Sequence, residues 1–280
     1  MIRHAWVAAI AAIAAMAASC AAPGGKAPQV EAKAEPKPIP EIRPGYLAGY
    51  MQMGSAPNSL AILPGPPAAG SPAQARDDAS AKAAVELNGS ARWSVAVQDA
   101  ELKFPAAAET FSCALGVKVS PETTPRLYTM LRRTLVDTGL STYPTKTKFQ
   151  RPRPFMVNNA PMCTPQDEAE LRKDGSYPSG HSAIGWGWAL ILAEAAPDRA
   201  TEVLHRGRAF TQSRVVCNVH WLSDTEEGRM MGAATVAKLH DNADFKADLE
   251  AAKAEILAAR AAGHLPTRDC AAETAALANG

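Results

Sequence analysis

Aromatic residues are scarce in this chain of 280 residues, because Phe, Trp and Tyr together make up only 6%. That scarcity disfavours a β-sandwich, whose strands are rich in aromatic and β-branched residues. Neither sign of charge is in excess, since 29 basic residues stand against 28 acidic ones. No long-range field therefore draws the protein to nucleic acid or to an anionic membrane. We expect no nucleic-acid partner, and any site for an anion must be local.

Several motifs are also missing. The sequence has no internal repeat and no GxxxxGK[ST], GxGxxG or CxxC pattern, so a nucleotide cradle or a zinc cluster has no support. After the N-terminus, the longest apolar stretch, 184–196, is too short to cross a bilayer and contains Glu194. The sequence predicts no metal site, no cofactor and no membrane-spanning helix in the mature protein.

The chain is rich in alanine instead, within a hydrophobic fraction of 47% and a charged fraction of 20% that are ordinary for a globular protein. Alanine has the highest helix propensity, and proline, glycine and capping residues divide the chain into helical segments. The predicted fold class is all-α, a single-domain helical bundle. We expect helices within 73–102, broken near Asn88-Gly89, and over 125–139, 165–173, 179–195, 197–210, 224–240 and 244–260.

The N-terminus is typical of a targeting segment. Arg3 and His4 precede an apolar run that has the length of a signal-peptide hydrophobic region. Cys20 follows in a setting that resembles a bacterial lipoprotein processing site, except that Ala17 stands where a large aliphatic residue is usual. Lipidation of Cys20 and simple secretion both stay open. The expected organisation is a signal peptide (1–20), a Pro/Ala-rich linker and N-terminal segment (21–57), the domain (58–262) and a C-terminal tail (263–280).

The first of three segments with candidate functional residues contains Lys146 and Arg153. Prolines flank Arg153 on both sides and restrict its backbone. A guanidinium held in this way offers a fork of donors to a tetrahedral oxyanion, and Lys146 adds a point charge. By itself the segment is more typical of a solvated basic loop.

The second segment is GSYPSGH, which ends at His181 at the start of an apolar helix. A helix N-terminus has unpaired N–H groups and the positive end of the helix dipole, and Gly180 lets an anion approach the backbone. His181, in the first turn, could donate a proton to an atom of that anion. The simpler interpretation of Ser179 is an ordinary N-cap.

The third segment contains Arg214, His220 and Asp224. The histidine and the aspartate are four residues apart, so on a helix they would share a face. The carboxylate would then accept the Nδ1 hydrogen and leave the Nε2 lone pair free as a base or nucleophile. Alone, this spacing is more typical of a surface hydrogen bond.

Together the segments read KxxxxxxRP (146–154), PSGH (178–181) and SRxxxxxHxxxD (213–224), and the sequence resembles the type 2 phosphatidic acid phosphatase (PAP2) superfamily, whose tripartite signature this is. The surrounding residues are similar to those of the bacterial class A non-specific acid phosphatases, which are secreted or periplasmic α-helical enzymes. The similarity runs from about Asn58 to Arg260. It implies an acid phosphatase that hydrolyses small phosphomonoesters.

The resemblance also implies a role for each matching position. His220 would attack phosphorus and become a phosphohistidine, Asp224 would orient His220, and His181 would protonate the leaving alcohol and later activate water. The phosphoryl oxygens would be held by the remaining motif residues, which are Lys146, Arg153, Arg214, Ser179 and the Gly180 N–H. An alcohol in place of water would accept the phosphoryl group.

Other interpretations share parts of this pattern. The site of vanadium-dependent haloperoxidases resembles it, although those chains are much longer, and membrane lipid phosphatases normally carry several transmembrane helices. A non-enzymatic anion-binding lipoprotein would keep the cations but would have no need of the histidines. Contact with a membrane is expected only through an N-terminal lipid, and assembly into a homo-oligomer stays open.

Four cysteines remain after Cys20, an even number in a compartment that permits oxidation. Cys163 lies between Arg153 and the Ser179 helix, and Cys217 lies between Arg214 and His220, so a fold that assembles the three motifs brings both cysteines to one region. A Cys163–Cys217 bond would leave Cys113 and Cys270 for the second. The other two connectivities, and four free thiols, stay open.

Overall fold

The computed structural model describes residues 38–52 and 54–278. The expectations for the signal peptide, for Cys20 and for the linker up to residue 37 lie outside the described residues. The described chain begins with a short antiparallel hairpin of β1 (Glu41–Arg43) and β2 (Tyr46–Leu47). Everything after it is helical or irregular, so the predicted all-α class is confirmed.

The helices follow one another through short loops. They are α1 (Ser59–Ile62), α2 (Pro72–Val85), α3 (Ala91–Asp99), α4 (Ser112–Leu115), α5 (Pro125–Leu140), α6 (Tyr143–Phe149), α7 (Pro154–Asn158), α8 (Glu168–Leu171), α9 (Gly180–Ala195), α10 (Ala200–Val216), α11 (Leu222–Leu239), α12 (Ala243–Ala261) and α13 (Cys270–Ala278). Three 3₁₀ turns, Ala106–Phe111, Pro165–Asp167 and Pro197–Arg199, precede α4, α8 and α10.

The long helices agree with the sequence prediction apart from shifts at their ends, whereas several short helices differ from it or were not predicted. The helix predicted over 165–173 is a 3₁₀ turn followed by the four residues of α8. Helix α10 continues to Val216, and α11 begins at Leu222, two residues before its predicted start. The basic segment that contains Lys146 is helical (α6) rather than a loop, and the predicted tail contains α13. The described residues from Ile39 to Ala278 belong to one compact unit.

Helix α9 lies at the centre of the bundle and packs against α5, α10, α11 and α12. Its residues Trp188, Ile191 and Leu192 are fully buried in the main core. An apolar sequence of this kind is stable only when neighbours cover all its faces. The N-terminal end of α9, which carries Gly180 and His181, is thereby fixed by the rigid centre of the molecule.

Two glycines of α11 allow it to lie against α9 at very short range. A Cβ atom on Gly228 would be 2.4 Å from the Ser179 carbonyl oxygen, and one on Gly232 would be 2.5 Å from the Ala183 carbonyl oxygen. Real Cβ atoms do not approach oxygen so closely, so these positions require glycine. The contact joins the start of α9 to the helix that carries Asp224.

Both disulfides match the connectivity singled out above. Cys163 is bonded to Cys217 with a Cα–Cα distance of 4.6 Å, and Cys113 is bonded to Cys270 with a Cα–Cα distance of 5.4 Å. The first bond joins two segments that flank site residues, and the second fixes the start of α13 to α4. In the part of the chain that the structure describes, no helix is long and apolar enough to cross a membrane.

Candidate active site

The three sequence motifs meet in one cavity of about 380 Å³. Lys146 and Arg153 come from the first motif, Gly180 and His181 from the second, and His220 from the third; all five line this cavity. Each comes from a helix end or from the loop beside one, where the backbone is held by the bundle while the side chain is free to point into the cavity.

Two cations of the first motif are buried and held by backbone carbonyl groups. Arg153 donates from Nε to the Leu171 oxygen at 2.9 Å and from Nη1 to the Val219 oxygen at 2.9 Å. Lys146 Nζ donates to the Gly175 oxygen at 2.5 Å, and burial lowers the pKa of this ammonium to about 8. The cations are therefore preorganised, and the solvated-loop alternative is wrong.

Ser179 caps α9 as predicted, because its Oγ accepts the Ser182 N–H at 3.2 Å. The Ser179 N–H in turn donates to the Asp224 carbonyl oxygen at 2.9 Å, which ties the second motif to the third. The first residues of α9, Gly180 and His181, line the cavity beside Lys146 and Arg153. This end of α9 favours negative charge through its dipole and its unpaired donors.

His181 lies in the first turn of α9. Its Nε2 is 3.0 Å from the Ala100 carbonyl oxygen, and because a carbonyl can only accept, Nε2 carries a hydrogen. In the neutral imidazole, Nδ1 is then the unprotonated nitrogen. Burial lowers the pKa of His181 well below its ordinary value, and the neighbouring Arg214 lowers it further.

His220 and Asp224 form the predicted pair by a different route. His220 lies in the loop before α11, so the two residues do not share a helical face. Its side chain instead contacts the Asp224 carboxylate in the first turn of α11. Its Nδ1 is 3.3 Å from Asp224 Oδ2, and its Nε2 is 3.0 Å from Arg153 Nη1. A guanidinium can only donate, so Nε2 holds the lone pair and Nδ1 holds the hydrogen.

The charges around His220 keep it neutral. Burial lowers the pKa of His220 well below its ordinary value, and the positive charges of Arg153 and Lys146 lower it further. Burial raises the pKa of Asp224, and hydrogen bonds from Arg151 and the Trp221 N–H oppose that effect. The arrangement is a neutral imidazole that is oriented by a buried carboxyl group and has its lone pair on Nε2.

Arg214 is the most weakly satisfied group of the site. Its side chain is buried on α10, and its Nε and Nη1 make no hydrogen bond to any described residue. Burial lowers its pKa to about 9, and Arg153 acts in the same direction. Unpaired buried donors of this kind are costly unless a ligand satisfies them, and a phosphoryl oxygen would.

Three further residues belong to the site although the sequence analysis did not identify them. Arg151 donates to Asp224 Oδ1 at 2.6 Å, and Asp77 on α2 accepts from Arg151 at 2.8 Å. Asp174 lies at the cavity, 3.4 Å from Lys146 Nζ and 3.3 Å from Arg153 Nη2. The RPRP repeat around Arg151 was the only local signal, while Asp77 and Asp174 stand in no recognisable pattern.

The wall of the cavity away from the cations is largely apolar. It is formed by the hairpin, the loop after α3, α5 and α9, through residues that include Ile42, Tyr46, Leu102, Leu135, Leu140 and Ile184. The polar end of the cavity thus suits a tetrahedral oxyanion, and the apolar part suits the organic group attached to it. Within residues 38–52 and 54–278, no cluster of three or more His, Cys, Asp or Glu side chains is placed to hold a metal ion.

Comparisons with known proteins agree with this geometry. Residues 126–243 match the family model of the PAP2 superfamily. The chain is 42% identical over 207 residues to an acid phosphatase of Zymomonas mobilis, an alignment that covers 74% of this chain and 78% of that protein. It is 40% identical over 200 residues to a non-specific acid phosphatase of Salmonella typhimurium, covering 71% and 80% of the two chains. A non-specific acid phosphatase of Providencia stuartii is 38% identical over 207 residues, which covers 74% and 84%.

Proposed function

The chain belongs to the PAP2 superfamily, and from that premise we propose that it is a metal-independent acid phosphatase that hydrolyses phosphomonoesters through a phosphohistidine intermediate. The observation that carries the proposal is the environment of His220. Its Nε2 holds a lone pair beside Arg153, at the cation-lined end of the cavity, while Asp224 accepts the hydrogen on Nδ1. A nucleophile, an orienting carboxylate and a cluster of cations are what in-line displacement at phosphorus requires.

In the first step, His220 Nε2 forms a bond to phosphorus and the bond to the leaving oxygen breaks. The phosphoryl oxygens lie among Lys146, Arg153 and Arg214 and the N–H groups at the start of α9, which stabilise the charge of the transition state. His181, protonated on Nδ1, gives that proton to the leaving oxygen. The product alcohol departs, and the phosphoryl group stays on His220.

In the second step, His181 is neutral and accepts a proton from water through Nδ1. The water oxygen forms a bond to phosphorus, the phosphorus–nitrogen bond breaks, and inorganic phosphate leaves. An alcohol bound in the apolar part of the cavity would accept the phosphoryl group in the same way. Small phosphomonoesters are the proposed substrates, and transfer to alcohols is the accompanying side reaction.

We also infer a periplasmic or secreted location, in which the protein would contact a membrane only if Cys20 is lipidated. The two disulfides support it, since such bonds persist in oxidising compartments. The signal-like N-terminus supports it as well.

Turnover of a chromogenic phosphomonoester tests the proposal directly. The purified mature protein should release the chromophore, keep its rate after EDTA treatment, and lose its rate in vanadate, which adopts a trigonal-bipyramidal geometry when bonded to a histidine nitrogen. The reason is that protein cations supply the charge that a metal supplies elsewhere. A rate that EDTA abolishes and a divalent metal restores would assign the protein to a different class of phosphatase.

The rate should follow a bell-shaped pH profile with its maximum on the acidic side of neutrality. His220 must be neutral, and its pKa lies well below the ordinary value, so the nucleophile stays active as the pH falls below about 6.5. His181 must be protonated, and its pKa is also lowered, so raising the pH removes the acid. Measurement of kcat between pH 3 and 9 checks this; a kcat that still climbs in the alkaline range would contradict the pairing.

A further inference from the structure

We propose that Arg151 and Asp77 are positioning residues that hold the Asp224 carboxylate as the acceptor of the His220 Nδ1 hydrogen. The inference rests on the proposed function, in which His220 Nε2 attacks phosphorus. Arg151 stands at an unspecified position of the first motif, Asp77 lies outside all three motifs, and neither residue lines the cavity. Their influence on the reaction must pass through Asp224.

The two oxygens of Asp224 have different partners. Oδ2 faces His220 Nδ1 at 3.3 Å and accepts the Trp221 N–H at 2.8 Å. Oδ1 accepts from Arg151 Nη1 at 2.6 Å. Oδ2 therefore accepts the hydrogen of His220, and Oδ1 is held by the guanidinium of Arg151. Such a charge-assisted bond fixes the rotation of the carboxylate as well as its charge.

Arg151 is itself fixed from the far side by α2. Its Nη2 donates to Asp77 Oδ2 at 2.8 Å and to Gln74 Oε1 at 2.8 Å. Asp77 also accepts from Ser223, through the backbone N–H at 2.8 Å and through Oγ at 2.5 Å. Since Ser223 precedes Asp224 on α11, Asp77 holds both the guanidinium and the first turn of that helix.

The charges form an alternating row from Asp77 through Arg151 to Asp224. Asp77 and Asp224 have no solvent exposure, and Arg151 is 8% exposed, so water screens these charges very little. Burial raises the pKa of Asp224, and Arg151 is the strongest influence that opposes this. Hydrogen bonds from the Trp221 N–H and the Ser176 hydroxyl also lower the pKa of Asp224, and His220 contacts its Oδ2. Asp224 also interacts electrostatically with Lys146, Arg153 and Tyr177.

Loss of the Arg151 charge would let Asp224 take up a proton at the working pH. A protonated Asp224 donates to His220 Nδ1, which moves the histidine hydrogen to Nε2 and removes the attacking lone pair. Raising the pH would ionise Asp224 again and restore the reactive tautomer. The ascending, acidic side of the kcat profile should therefore move to higher pH.

A purely structural role for Arg151 makes a different prediction. A buried ion pair that only holds α2 against α11 would lower stability when broken and would reduce the amount of active protein. It would not move the pH dependence of the molecules that remain folded. The position of the acidic limb of the profile thus separates the two roles.

The test uses the mature full chain and p-nitrophenyl phosphate, with kcat and KM measured across pH. For Arg151→Met we expect kcat to fall on the order of 100-fold, with KM within about 3-fold of the wild-type value. The midpoint of the acidic limb of the kcat profile should move to higher pH by about one unit or more. Arg151→Lys keeps the charge, so its kcat should be within about 10-fold of the wild-type value and the acidic limb of its profile should stay at the wild-type pH.

Two further variants complete the design. Asp77→Asn should lower kcat by about 10-fold without raising the acidic limb, because Arg151 keeps its charge but loses its support. Arg76→Met is the matched control, since Arg76 is an exposed neighbour on α2 that pairs with Glu226, and it should behave as wild type.

The outcomes are distinct. Wild-type kcat and pH profile in Arg151→Met would overturn the inference, and so would equal losses in the Met and Lys variants without movement of the limb. If Arg151→Met does not fold, Asp77→Asn decides, and wild-type kcat in that variant would overturn the inference. An inactive wild-type protein would overturn the proposed function, and this inference with it.

Discussion

Replacement of His220 by alanine should abolish turnover, with a fall in kcat of about 10⁴-fold or more, because the step that forms the phosphorus–nitrogen bond has no substitute in the cavity. The same variant should form no acid-labile phosphoenzyme when it is quenched during turnover of a labelled phosphomonoester. Both measurements are needed, since the rate reports the whole cycle and the labelled protein reports the covalent step alone.

The matched control is His240→Ala, because His240 is a half-exposed histidine that pairs with Glu194 at 3.1 Å, away from the cavity. It should keep wild-type kcat and wild-type labelling. A His220→Ala protein of near-normal activity would remove the covalent mechanism and leave only general acid–base hydrolysis by His181.

Replacement of Gly228 by alanine should have a large effect on stability. The added Cβ would lie 2.4 Å from the Ser179 carbonyl oxygen and 2.8 Å from Ser182 Cβ, so α11 would have to move away from α9. Overpacking of this kind costs about 1–3 kcal/mol, which exceeds the roughly 1 kcal/mol gained from the better helix propensity of alanine. Because Ser179 caps the site helix, kcat should fall as well, even well below the melting temperature.

Urea or thermal unfolding of Gly228→Ala measures the loss directly. Gly65→Ala is the matched control, since its Cβ would meet only the Phe149 ring, at 3.4 Å, which is ordinary van der Waals contact. That variant should unfold as the wild type does. If Gly228→Ala melted together with Gly65→Ala, the close contact between α9 and α11 would not be a determinant of stability.

Local sequence patterns predicted the helices well, because their signals are local. Pro125 at the first position of α5 and Gly89 in the turn between α2 and α3 act through backbone conformation alone. The two-residue strand β2 escaped prediction because so short a segment has no periodicity. Helix α13 escaped because the sequence after Gly263 was treated as a tail, whereas a disulfide and the Glu273 contacts with Arg206 and Arg268 hold it in place.

The site was predictable to the extent that its residues lie in motifs. The motif positions that line the cavity were all identified, but the way His220 reaches Asp224 was not, because the spacing alone does not show that a helix begins between them. Arg151 and Asp77 are separated by 74 residues and meet only through the packing of α2 on the site. Contacts between residues so far apart in the sequence cannot be predicted from local sequence patterns.

Arg214 also connects the site to the stability of the whole molecule. In the folded chain, Arg214 Nε and Nη1 have no hydrogen-bond partner among the described residues. Burial lowers the pKa of Arg214 and of Lys146, and the positive charge of Arg153 lowers both further. An anion that binds only the folded state relieves this repulsion and stabilises that state by mass action, by about 2.7 kcal/mol at a concentration 100 times its dissociation constant. The product of the proposed reaction is such an anion. On the proposed function, we therefore expect the protein to be hardest to unfold in surroundings where phosphate has accumulated, and most vulnerable to heat and proteases where phosphate is scarce.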